Sequence, residues 1–136
     1  SFETLLDIAK GQVANEELGI RNWEAANYKP QTTNYKPVFV DTDMYVMKVW
    51  CEFVFEKCHH WILNRIVERK YDLYLLCNTD LPWVKDELRE YPDLENRQKL
   101  YHNYKDIMVN QNVPWVDISG GYGERLRKAI AAVESV

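Results

Sequence analysis

The amino-acid sequence predicts an α/β domain built on a parallel sheet, and three observations predict it. Short apolar runs at residues 38–40, 73–77 and 113–118 alternate with longer segments whose apolar residues fall at helical spacing. Such alternation is the pattern of strand–helix units joined by right-handed crossovers. Each run then ends in polar residues: Asp41 and Asp43 after the first, Asn78 and Asp80 after the second, Ser119 after the third. In a parallel sheet those ends share one edge, the edge at which open α/β sheets bind ligands. Finally, 136 residues that are 46% hydrophobic and 28% charged suit one globular domain.

Taken in order, Phe2, Leu5, Leu6, Ala9 and Val13 predict an amphipathic helix over 2–18, with Gly19 as its stop. Residues 21–37 read as a polar loop in which Asn-Tyr-Lys-Pro occurs twice, at 27–30 and 34–37, each copy ending in a proline stop. Val38, Phe39 and Val40 predict a short buried strand closed by Asp41-Thr42-Asp43. Residues 44–57 are apolar almost all round. Their polar residues Lys48, Glu52 and Glu56 recur at four-residue spacing, one narrow stripe on a mostly buried helix. Residues 59–70 continue helically, with Ile62, Ile66 and Val67 inward.

The run Leu73, Tyr74, Leu75, Leu76, Cys77, stopped by Asn78, Thr79 and Asp80, suits a strand buried on both faces. Pro82 disfavours helical geometry at Leu81. It opens a segment rich in charge and carrying Trp83, Asp86, Glu87, Arg89 and Glu90. Asp93 is placed to cap a long helix through Asn110, with Leu94, Tyr101, Tyr104, Ile107 and Met108 along one side. Residues 113–118 form the third strand, Ser119-Gly120-Gly121 a turn, and Tyr122, Leu126, Ile130 and Val133 the apolar face of a last helix.

Composition excludes some classes. A net charge of −4 and a pI near 5.4 argue against a general nucleic-acid surface. No apolar run approaches the ~18 residues that a bilayer span needs. Three cysteines without metal or redox spacing, and no signal peptide, predict a reducing, cytoplasmic setting. The nine Tyr, five Trp and four Phe suit either stacking surfaces or a bulky core.

Several constellations admit a chemical reading beside a structural one. Asp41-Thr42-Asp43 after a buried strand looks like a Walker B-type acid, which holds Mg²⁺ or takes a proton from an attacking hydroxyl. The structural alternative is an acidic turn. Arg89 and Arg97 flank a proline-broken acidic segment and suit a lid that clamps phosphates, or a solvated helix face with ion pairs. Trp83 suits stacking on a planar ring, or a place in the core. Cys58-His59-His60 lacks the second ligand cluster of a metal site. Gly120, Gly121 and Gly123 resemble a phosphate-cradling loop, but the chain has no Gly-Lys-Ser/Thr, and a turn opening the last helix is the better reading.

Together, VFVDTDMYVMKVWCEFVF, YDLYLLCNTDLPWVKDELRE and WVDISGGYGERLRKAI resemble the kinase half of NadR-type proteins, the nicotinamide riboside kinases often fused to a nicotinamide mononucleotide adenylyltransferase. The specific element is the D-x-P-W-x-x-D-x-x-R run from Asp80 to Arg89, and the resemblance extends from Phe2 to about Ile130. It implies a three-layer parallel sheet of P-loop kinase type and transfer of the γ-phosphate of Mg-ATP to the riboside 5′-hydroxyl, in NAD biosynthesis. Carried over, Asp41 is the Walker B-position acid with Asp43 beside it on the metal. Asp80, Trp83 and Asp86 lie around the riboside. Arg89 and Arg97 belong to the lid over the phosphates. Ser119, Gly120 and Tyr122 pass near the adenine of ATP.

The sequence departs from the family pattern in one respect. The family's domain opens with a strand and a Gly-rich Walker A loop, and this chain contains neither. The resemblance therefore implies the C-terminal part, residues 1–136, of one P-loop kinase-like domain whose sheet is incomplete, inactive by itself. In related kinases the P-loop strand lies between the strands corresponding to 38–40 and 73–77. Buried backbone groups left unpaired cost about 1–3 kcal/mol each. The expectation is that the chain closes the gap, borrows a strand, or associates through exposed edges. The implied partners are nicotinamide riboside and ATP with Mg²⁺, a fused adenylyltransferase domain and a homo-oligomer, with no nucleic acid or membrane. Two alternatives stay open: another P-loop nucleoside kinase or ATPase, and a non-catalytic domain that senses a pyridine nucleotide.

Overall fold

The computed structural model of the chain describes residues 1–27, 37–81 and 93–136, which fall into two units, Ser1–Arg69 and Lys70–Val136.

The first unit is helical. Helix α1 spans Phe2–Asn27 and runs through Gly19, where the sequence predicts a stop. A glycine inside a helix costs only about 1 kcal/mol against alanine. Ile20 and Trp23, both half-buried, continue the apolar side beyond it. Helix α2 spans Met44–Phe55 and ends at Glu56, whose φ of 56° is left-handed. The Lys48–Glu52 pair of its polar stripe meets at 3.0 Å.

Helix α3 spans His60–Glu68 and buries Ile62 completely, with Ile66 packed on the core; Val67, expected inward, is 79% exposed. Ala9, Val13, Met44, Met47, Cys51 and Ile62 form the centre, with Phe2, Leu5, Leu6, Cys58, Trp61 and Ile66 against it. Arg69, just past α3, reaches back to Glu17 on α1 at 2.9 Å.

Residues 38–40 are not a strand. Phe39 is 68% exposed, and no strand among the described residues pairs with this run. A strand exists only through a neighbour that takes its N–H and C=O groups. Three apolar residues in a row do not supply one.

The second unit carries the sheet. Strand β1 (Tyr74–Cys77) and strand β2 (Trp115–Ile118) pair in parallel, with Tyr74 opposite Trp115 and Leu76 opposite Asp117. The predicted three-stranded sheet is thus two-stranded among the described residues, an arrangement compatible with an incomplete α/β P-loop fold. Pro114 lacks an N–H but its carbonyl accepts the Tyr74 N–H at 3.0 Å, so β2 begins just after it. Burial of β1 is partial rather than complete: Tyr74, Leu75 and Leu76 are half-buried and Cys77 is exposed.

Helix α4 (Leu94–Asn110) connects the strands and packs on β1. Asp93 caps it as predicted, accepting the Glu95 N–H at 3.1 Å. Leu100, Tyr101 and Met108 are its buried residues, while Leu94, expected on that side, is exposed. Helix α5 (Tyr122–Glu134) packs on β2. Of its predicted apolar side, Tyr122, Leu126 and Ile130 are exposed and only Val133 is half-buried; Ala132 is buried, and Arg125 and Lys128 are half-buried.

Candidate functional site

The polar residues that end β1 and β2 meet, and Arg125 of α5 holds them together. Beyond the ladder, the Asn78 N–H donates to the Ile118 carbonyl at 2.9 Å, so the two chains leave the sheet side by side. The β2 chain then turns at Gly120, whose φ of +98° favours glycine. A Cβ there would lie 1.7 Å from the Glu124 carboxyl oxygen Oε2. This turn aims the Gly120 N–H at Asp80, and the Asp80 Oδ2 accepts it at 2.7 Å.

Arg125 completes the arrangement. Its Nε donates to the Gly120 carbonyl at 2.8 Å and its Nη2 to the Asn78 carbonyl at 3.0 Å. Nη2 also donates to the Asp80 Oδ1 in a close ion pair. The Gly120 amide holds the Asp80 carboxyl below its usual range; partial desolvation opposes it, and the Arg125 charge adds to the lowering. Asp80 is therefore an ionised, acceptor-only carboxylate at neutral pH, and it is exposed. Lys128, one turn further along α5, donates to the Ser119 hydroxyl at 2.7 Å and to its carbonyl at 3.1 Å.

A second polar cluster lies behind the first. Asp117 is an acid within β2, half-buried, and Tyr101 of α4 donates its hydroxyl to the Asp117 Oδ2. Asn78 donates through Nδ2 to the Asp117 Oδ1 and to the Tyr101 oxygen, both at 3.2 Å. Burial, and then the bond to Asp117, push the Tyr101 phenol up to about 12. One turn before Tyr101, Arg97 donates to the Leu81 carbonyl at 3.2 Å. The arginine expected over phosphates thus holds the backbone where the Asp80 loop departs.

In the first unit, Asp43 is the N-cap of α2 and its Oδ1 accepts the Val46 N–H at 3.1 Å. Burial pushes its carboxyl up to about 6; the amides of Val46 and Tyr45 oppose the rise and the Glu16 charge adds to it. Thr42 between the two acids takes a left-handed φ of 67°, and its hydroxyl donates to the exposed Asp41 carboxylate at 3.3 Å. Asp41-Thr42-Asp43 therefore offers two carboxylates and a hydroxyl, an all-oxygen donor set of the kind Mg²⁺ takes.

His59 has a structural place: its Nε2 lies 2.7 Å from the Phe2 carbonyl and its ring stacks on Phe2. No group of three or more His, Cys, Asp or Glu side chains that could hold a metal occurs among the described residues.

Of the residues predicted for the site, Asp80, Ser119 and Gly120 come together and Arg97 braces the adjoining Leu81. Tyr122 begins α5 and is exposed. Asp41 and Asp43 belong to the first unit. Trp83, Asp86 and Arg89 lie outside the described residues. Sequence reasoning did not single out Tyr101, Arg125 and Lys128 or the role of Asp117. The available signals were a lone acid inside an apolar strand, and two cations three residues apart just after a glycine turn.

No helix among the described residues is long and apolar enough to cross a membrane. Two curated relatives, the trifunctional NAD biosynthesis/regulator proteins NadR of Salmonella typhimurium (strain LT2) and Escherichia coli (strain K12), are each 24% identical over 102 residues, or 74% of this chain. The match is 25% of the relatives' length, so the chain spans about a quarter of them. A family model described as an AAA domain, of the P-loop class, matches residues 4–125. With a parallel β1–β2 pair whose strand ends gather Asp80, Ser119 and Gly120, and a family match over nearly its whole length, the chain belongs to this AAA-domain family.

Proposed function

We propose that this chain is part of a nucleotide-dependent kinase domain that phosphorylates nicotinamide riboside to nicotinamide mononucleotide with Mg-ATP. The observation that carries this reading is the Asp80 carboxylate, kept ionised at the strand edge by the Gly120 N–H and Arg125. An exposed, fixed acceptor of that kind is suited to the hydroxyl groups of a sugar. The similarity over 102 residues to NadR proteins, whose name includes NAD biosynthesis, directs the choice of sugar to a pyridine riboside.

In this reading Asp80 orients the riboside, and Trp83 and Asp86, which lie outside the described residues, are assigned to the same substrate by the family resemblance. In the first unit, Asp41 would hold Mg²⁺ or serve as the base, and Asp43 would be the second carboxylate for the metal. Arg89 and Arg97 neutralise charge on the transferring phosphate, and Ser119, Gly120 and Tyr122 border the adenine. When bound, Mg²⁺ supplies charge neutralisation between the phosphates. The chain has no Gly-Lys-Ser/Thr, so its residues account for the acceptor side and the metal and not for the β- and γ-phosphate cradle.

The test is phosphoryl transfer by the full-length protein, followed by product chromatography against a panel of ribosides. Nicotinamide mononucleotide formed in preference to other nucleotides is the expected result. Turnover confined to a different nucleoside, or ATP hydrolysis without transfer, would overturn the choice of substrate, and riboside binding without turnover would indicate a sensor.

A further inference from the structure

We propose that Arg125 is the positioning residue of this site: it locks the loops after β1 and β2 into one platform and so sets where the Asp80 carboxylate meets its ligand. For the identity of that ligand the proposal rests on the riboside reading above.

Three acceptors converge on the one guanidinium, and they come from both loops. Asn78 and Asp80 follow β1; Gly120 follows β2. A planar fork with fixed donor directions can serve all three at once, whereas a lysine ammonium is a point charge on a flexible stem. The two partners differ in exposure. The Arg125 side chain is 12% exposed and the Asp80 side chain 40%. Arg125 is therefore the packed support, and Asp80 is the group that reaches outward. The backbone leaves Asp80 a second hold through the Gly120 N–H, and that hold itself depends on Arg125, which grips the Gly120 carbonyl.

Loss of Arg125 leaves the Asn78 and Gly120 carbonyls at the strand edge, where water replaces the guanidinium. The β1–β2 ladder and the α4 packing do not use it. Arg125 lies on the side of α5 that packs on β2, so the variant's fold is checked by circular dichroism; the expected change is in the spacing of the two loops and the aim of the Asp80 carboxylate.

The experiment is a double-mutant cycle in the full-length protein, with Asp80→Asn, Arg125→Gln and the pair, read by steady-state kinetics with nicotinamide riboside. Arg125→Gln is expected to raise the riboside KM roughly tenfold with kcat little changed, as for a group that binds ground and transition states alike. Arg125→Lys does not restore it. On the Asp80→Asn background, Arg125→Gln adds little, because both act through the same carboxylate. An unchanged KM for Arg125→Gln, or full additivity in the cycle, overturns the proposal. Should the wild-type protein turn over no riboside, the substrate reading fails by itself. The lock is then judged by amide hydrogen exchange at Gly120, expected to quicken in Arg125→Gln; unchanged exchange overturns the lock.

Discussion

Replacing Tyr101 by phenylalanine tests whether the Asp117 cluster holds α4 on the sheet. Tyr101 is 9% exposed, and phenylalanine preserves its ring and packing. What disappears is one hydroxyl that donates to the Asp117 carboxylate and accepts from the Asn78 amide. Hydrogen bonds to charged groups contribute about 1.5–3 kcal/mol to stability. Asp117 keeps the Asn78 amide as a donor and is only half-buried, so the loss belongs at the lower end, about 1.5 kcal/mol. The assay is urea unfolding at pH 7, monitored by tryptophan fluorescence, comparing midpoints at constant slope. The same network predicts a pH dependence. A phenol raised from 10.0 to about 12 favours its neutral form in the folded state, so that stabilisation is complete below pH 10 and is lost as pH climbs through 12. Tyr101→Phe removes that loss. A destabilisation below about 0.5 kcal/mol, within the range of ordinary surface substitutions, would refute the view that the cluster anchors α4.

Three further outcomes follow from the geometry. Asp43→Asn abolishes a stability change between pH 4 and 6: the folded carboxyl, raised from 3.8 to about 6, binds its proton more tightly than the unfolded one, so the wild-type protein loses up to about 3 kcal/mol as pH rises through that window, and chemical denaturation at pH 4 and 7 measures it. Gly120→Ala costs about 1–2 kcal/mol in the same assay because of its positive φ, and Glu124→Ala in the same chain relieves only the steric part. Phe39→Ser stays within about 0.5 kcal/mol by thermal unfolding, where a buried strand residue at that position would cost several times more.

Elements whose evidence is local were legible in the sequence. Helices α3 and α4 show their apolar spacing, Asp93 announces the start of α4, and β1 and β2 stand out as apolar runs cut off by Asn78 and Ser119. Residues 38–40 have the same local look and, among the described residues, no partner strand beside them; a partner is a property of the whole chain. Gly19 fails as a stop for a related reason: a small intrinsic penalty is outweighed by packing on both sides of it. The site divides along the same line. Asp80, Ser119 and Gly120 follow directly from strand ends. Arg125, Lys128 and Tyr101 lie on helices, and only the tertiary arrangement brings their polar tips to the strand edge.

The exposed Cys77 has a practical use. Of the three thiols, Cys51 is buried, and burial pushes the half-buried Cys58 thiol up to about 12, where little thiolate forms at neutral pH. A maleimide dye added to the native protein should therefore attach first at Cys77, with no mutagenesis. That position is the last residue of β1, immediately before Asn78. A fluorophore there would sit one residue from the backbone carbonyl that Arg125 grips, a ready optical reporter of whether the two loops are clasped or parted.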